Sequence, residues 1–150
     1  MTTQDQALVT ATARARVDVL LASFARLTGR PLAADARALW HLPAAVVAHD
    51  TKATPEFFYA NAAALAQFRM AAADFLGMPS YRSAEAQHRD ERAAMFTRLQ
   101  AADVVTDYAG VRITADGTRF CIRDAVIWNL RDAAGVLHGQ AAWFEHADPL

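Results

Sequence analysis

The chain has 150 residues, a formal net charge of -1 and 54% hydrophobic residues, a balance that suits one globular domain and excludes a disordered chain. Lys52 is the only lysine and the arginines are scattered among acids, so no basic stripe points to nucleic acid. Cys121 is the only cysteine, which excludes an internal disulfide and a thiolate metal cluster.

Residues 1 to 6 are polar and do not read as a signal peptide, and no stretch reaches the roughly 20 apolar residues of a membrane span. The expectation is a cytoplasmic protein without membrane contact. From Gln4 to Leu27 the spacing predicts one amphipathic helix, with Val17, Leu20, Leu21, Phe24 and Leu27 on one face. Gly29 and Pro31 end it, since glycine accepts a left-handed cap and proline cannot continue the turn. A short helix, Ala34 to Trp40, is stopped by Pro43. Ala45 to His49 reads as a buried strand, and Phe57 to Tyr59 as a second strand beyond a polar turn. Asn61 is an N-cap for a helix from Ala62 to Gln67, and Gly77 closes another from Ala71 to Leu76. Ser83 is expected to cap a longer helix, Ala84 to Gln100, with Glu85 and Arg89 paired one turn apart and Met95, Phe96 and Leu99 buried.

The period then changes from helical to alternating. Val104 to Thr114 and Arg119 to Asn129 are strands joined through Asp116-Gly117, a hairpin signal because both turn positions favour positive φ. Val136 to Phe144 is the last strand. The fold class is α+β: an antiparallel sheet with short helices on one face, residues 41–150, and an N-terminal helical extension, residues 1–40.

Two strands, a run of short helices and a three-stranded meander follow the element order of the PAS fold. Several segments also resemble one family. They are Phe57-Phe58-Tyr59-Ala60-Asn61-Ala62-Ala63-Ala64-Leu65, Pro79-Ser80-Tyr81-Arg82-Ser83-Ala84-Glu85 and Arg89-Asp90-Glu91-Arg92. Further along come Tyr108-Ala109-Gly110-Val111-Arg112-Ile113, Gly117-Thr118-Arg119-Phe120, Trp128-Asn129 and Gly139-Gln140-Ala141-Ala142. Ordered and spaced as they are, they resemble the MEKHLA domain over about residues 40 to 145. That family is similar to PAS sensors and occurs both at the end of plant homeodomain–leucine zipper regulators and as free-standing bacterial proteins, the kind this chain resembles. The resemblance implies sensing or regulated protein contact, and brings neither ligand nor catalytic set.

The residues themselves recruit no enzyme. A G-x-S-x-G elbow and the glycine-rich phosphate loops are absent. His41, His49, His88, His138 and His146 lack zinc-site spacing. His88, on a predicted helix, is the candidate axial ligand if this is a haem-binding PAS sensor; otherwise it is a surface or partly buried histidine. The Asn-Cys-Arg-Phe motif of light-oxygen-voltage domains is missing, so adduct photochemistry is not expected, while non-covalent flavin stays open. The sequence names no cofactor.

The candidate ligand-binding residues are His49, Tyr59, Asn61, Arg82, Asp124, Trp128 and Gln140. Strict alternation puts Phe120, Ile122, Asp124, Val126 and Trp128 on one strand face. Asp124 then either enters the pocket beside Arg82 or Arg112, or a β-bulge at Arg123-Asp124 turns both side chains to water. His49, Tyr59 and Trp128 make an aromatic lining if they face inward, and are core otherwise. Arg82 clamps a ligand carboxylate or pins its own loop to Glu85 or Asp124.

Three functions follow from this. One is a PAS-like sensor of a small, mostly apolar or aromatic molecule. Another is a ligand-free interaction module, whose N-terminal helix packs on an outer sheet face carrying Cys121, Ala125, Ile127 and Trp143 or pairs with its copy in a homodimer. The most distant is a small α+β enzyme using Asp124.

Overall fold

The computed structural model describes residues 1–85 and 89–150. The chain opens with helices α1 (Thr3–Ala13), α2 (Arg16–Thr28) and α3 (Ala36–Trp40). Strands β1 (Ala45–His49) and β2 (Phe57–Ala60) follow, then helices α4 (Ala62–Phe68) and α5 (Ala72–Phe75). A 3-10 turn spans Ser80–Ser83, and helix α6 spans Arg89–Ala102. The chain ends in strands β3 (Val104–Ile113), β4 (Arg119–Arg131), β5 (Leu137–Phe144) and β6 (His146–Pro149). The strands form an antiparallel sheet in the order β2-β1-β5-β4-β3, with β6 pairing the first half of β4. The expected α+β, PAS-like architecture is present. No helix among the described residues is long and apolar enough to cross a membrane.

The single helix expected from Gln4 to Leu27 is two. Arg14 adopts φ 52 and ψ -132, and the chain turns there. The apolar stripe that motivated one helix begins only at Val17, so it describes α2. That stripe packs on β4 and β5, whereas α1 lies over β2 and α5. One straight rod cannot serve both surfaces. Thr2 and Asp5 form a capping box at the start of α1, and Asp5 Oδ1 also accepts from the Ala72 amide at 2.8 Å, tying this end to α5.

The longer helix also differs from expectation. Ala84, its expected first residue, is extended, and over the described residues the helix spans Arg89–Ala102. Ser83 closes the 3-10 turn, donating to the Ser80 carbonyl at 2.8 Å, instead of capping α6. The Glu85–Arg89 pair and the haem reading of His88 fall outside the described side chains; Glu85 accepts from Arg119.

The decisive local feature is in β4. Asp124 has φ 53 and is exposed together with Arg123. Side chains alternate strictly along a strand, so one extra residue exchanges the two faces. Phe120 and Ile122 face inward, towards α4 and α6. Past the bulge, Ala125 and Ile127 face inward, while Val126, Trp128 and Leu130 face α2. The expected single face running from Phe120 to Trp128 is therefore wrong, and Ala125 and Ile127 are not on the outer face. The neighbours insert a residue too. On β3, Asp107 (φ 58) lies between the pairs Val105↔Ile127 and Tyr108↔Ala125. On the other side Glu145 separates β5 from β6, so that Ile127↔Ala142 and Ile122↔Ala147 keep common faces.

Asp124 tolerates its left-handed conformation as only glycine, asparagine and aspartate do readily. Asp124→Asn and Asp124→Gly are expected to keep stability within about 0.5 kcal/mol, and Asp124→Val to lose about 1–2 kcal/mol. Urea denaturation measures this. A loss of several kcal/mol in Asp124→Asn would instead indicate a buried, paired carboxylate.

Candidate functional site

Between the inner sheet face and the helices lies a cavity of about 50 Å³. Its apolar walls include Val47, Phe57, Phe68, Met95, Phe96, Ile122, Ile127 and Phe144. Its polar groups are His49, Ser83, Arg92, Arg112 and Gln140.

His49 ends β1 facing inward, edge-on to Phe96 with ring centroids 5.7 Å apart. Its Nδ1 lies 3.0 Å from the Asp50 carbonyl, which can only accept, so the neutral ring carries its proton there and Nε2 is left as an acceptor. Burial lowers its pKa from 6.5 to about 4, with nearby Arg92 acting in the same direction, so the ring is neutral at neutral pH. Gln140, paired with His49 across the β1–β5 ladder, donates to Asn129 Oδ1 at 3.1 Å. Asn129 in turn donates to the Leu99 carbonyl and to Asp103, which fastens the end of α6 to the sheet.

Arg112 is buried, at 8% exposure. It donates to the Val111 carbonyl at 2.9 Å and to the Tyr108 hydroxyl at 3.2 Å. Tyr108, Gly110 and Arg112 share one face of β3. A Cβ at Gly110 would sit 2.5 Å from the Tyr108 hydroxyl and 2.9 Å from Arg112 Nη1, so the missing side chain is the space in which the two meet. Arg92 lies on α6 at 9% exposure, its guanidinium 5.2 Å from the centre of the Phe96 ring.

Of the expected site residues, the cavity gathers His49 and Gln140. Asp124 is in water, and Arg112, its proposed partner, is held by Tyr108. Arg82 is exposed on the 3-10 turn and makes no ion pair with Glu85 or Asp124 among the described residues. Trp128 faces α2: its Nε1 donates to Ser23 Oγ at 3.0 Å and its ring meets Phe24 at 4.9 Å. Tyr59 also points outward, because the β1–β2 register shifts between Ala48 and His49. With Val9, Val17 and Trp40 it lines a separate outer cleft, and its buried hydroxyl has no partner among the described residues. Asn61 caps α4 as expected, but its hydrogen-bonding capacity is fully used. Oδ1 accepts from Val46 at 2.9 Å and Ala64 at 3.1 Å, while Nδ2 donates to Ala44 at 2.9 Å and Leu39 at 3.1 Å. It joins α3, β1 and α4, and has nothing left for a ligand.

Arg92 is missed by sequence reasoning, because it stands in a charged helical stretch that reads as solvated. Arg112 enters there only as a partner for Asp124. A signal for it is present in the sequence, in two polar residues four apart on a strand with glycine at the shared face between them.

A family model described as the MEKHLA domain matches residues 14–148, which takes in α2 and α3 as well as the sheet. No curated protein matches the chain. Among solved structures, an RNA-binding light-oxygen-voltage receptor is 25% identical with a TM-score of 0.61, covering 72% of this chain but only 31% of the receptor. A PAS domain from Colwellia psychrerythraea gives a TM-score of 0.63 at 12% identity, covering 73% of this chain and 90% of that one. The light-oxygen-voltage domain of the blue-light photoreceptor Aureochrome1 gives 0.55 at 15%, covering 67% and 72%. Cys121 does not line the inner cavity.

The His49 shift has a measurable consequence. The unfolded chain takes up its proton near pH 6.5 and the folded chain only near pH 4. The stabilising effect of neutral His49 is therefore complete above about pH 6.5 and declines as the pH falls towards 4. Full loss amounts to about 3 kcal/mol. Urea denaturation across this window is expected to show the decline in the natural chain and a much flatter profile in His49→Gln.

Proposed function

The chain belongs to the MEKHLA domain family, and on that footing we propose that it is a PAS-like sensory module. It binds a small, mostly apolar or aromatic molecule in the inner cavity and signals through protein contacts. The observation that supports this is the division of β4. Ile122 and Ile127 are cavity wall, while Trp128, the next residue, is clasped by Ser23 and Phe24 of α2. A ligand that favours one position of β4 over another thereby favours one seating of α2. Recognition suits this lining better than catalysis. The Ser83 hydroxyl is engaged by Ser80 and the His49 proton by Asp50, so neither forms a nucleophile–base pair. Freshly purified protein, denatured and analysed by mass spectrometry, is expected to release a bound small molecule. Returning that molecule should raise the melting temperature and alter amide exchange in α2. If no molecule is released and no metabolite stabilises the chain, the proposal fails.

The small cavity also favours a second reading, a ligand-free interaction module that dimerises through α1 and α2. On that reading the full chain is a dimer and deletion of residues 1–28 yields a monomer, whereas on the sensory reading the deletion leaves the oligomeric state unchanged. On either reading it uncovers Val126, Trp128 and Leu130 and lowers stability. Light scattering of both chains separates the two.

A further inference from the structure

The cavity's charged lining is of one sign. Among the described residues Arg92 and Arg112 line it and no carboxylate does, and His49 is neutral there. Arg112 carries five N–H donors. Among the described residues its acceptors are a backbone carbonyl and a phenol, and it meets no acid. Residues 86–88 are Ala86, Gln87 and His88, so no acid stands there in the sequence either. A guanidinium out of water needs a counter-charge. The gap at Gly110 lays this one along the strand, 5.6 Å over the Tyr108 ring, where its direction is fixed before any ligand arrives. Planar guanidinium forks match carboxylates in two-point geometry. The volume, about 50 Å³, admits a carboxylate and a few carbons beside Phe57, Phe96 and Ile127.

We propose that the inner cavity selects a small organic acid, its carboxylate held by Arg112 with Arg92 close by and its apolar part against the aromatic wall. This rests on the sensory reading of the same cavity and adds the chemical class of the ligand. Acetate, propionate and benzoate, each compared with its uncharged amide at constant ionic strength, test it by calorimetric titration and thermal shift on the full chain. At least one acid is expected to bind at least tenfold more tightly than its amide. Arg112→Gln should abolish that preference, and Gly110→Ala, which keeps the arginine but closes its space, should weaken it. Circular dichroism and urea denaturation of both variants without ligand show whether they are folded, and Arg112→Lys is the substitute should Arg112→Gln unfold. An amide that binds as well as its acid, or a preference that survives Arg112→Gln, overturns the carboxylate assignment and leaves the sensory reading standing. No binding by any probe, together with no co-purifying molecule, removes both.

Discussion

Which side chains of the β3-β4-β5 wall face the inner cavity depends on the residue inserted at Asp124. A strand has a period of two, so an insertion in β4 alone would tear its ladders or put apolar side chains in water. Neither happens, because β3 inserts Asp107 and the β5–β6 strand inserts Glu145 in neighbouring steps. The pair Tyr108↔Ala125 sits between the first two insertions with both side chains buried. Since all three strands change face together, Phe120, Ile122, Ala125 and Ile127 all stay on the inner face, and Val126, Trp128 and Leu130 reach the outer face where α2 covers it. Acids suit these positions, because aspartate tolerates positive φ and an exposed carboxylate keeps the bulge in water.

The same constraint explains what the sequence could and could not disclose. Strand β1 was legible to the residue, and β3, β4 and β5 to within two, because β-branched runs and the Asp116-Gly117 turn are local signals. Asn61 was legible as a cap because capping is also local. The facing of Trp128 and Tyr59 was not. It depends on the parity of insertions, and parity is settled between strands, where each partner's extra residue must match the other's. Strand β4 by itself leaves the bulge and the buried carboxylate as equal alternatives. The break at Arg14 was hidden for a similar reason. No glycine or proline marks it, and the turn is dictated by two separate surfaces, on β2 and on β4, that the helices must cover. Strand β6 was missed because it has little β-propensity and exists by pairing with β4 before the bulge.

Moving Trp128 out of the cavity and Arg112 into prominence changes what kind of molecule the cavity would suit. An aromatic box of His49, Tyr59 and Trp128 would bind by stacking and would be largely indifferent to charge. The actual lining combines phenylalanines with the guanidinium groups of Arg92 and Arg112, with His49 contributing only a lone pair. Apolar contact alone discriminates ligands weakly, since one methylene is worth about 1–3 kcal/mol. A buried cation discriminates much more sharply, because every neutral competitor leaves it unpaired. It also couples the site to the rest of the fold. Arg112 stands opposite Phe120 on the inner face, and the strand that carries Phe120 goes on, past the bulge, to hold α2 through Trp128. Arg112 is thus paired with the same strand whose outer face anchors the N-terminal helices.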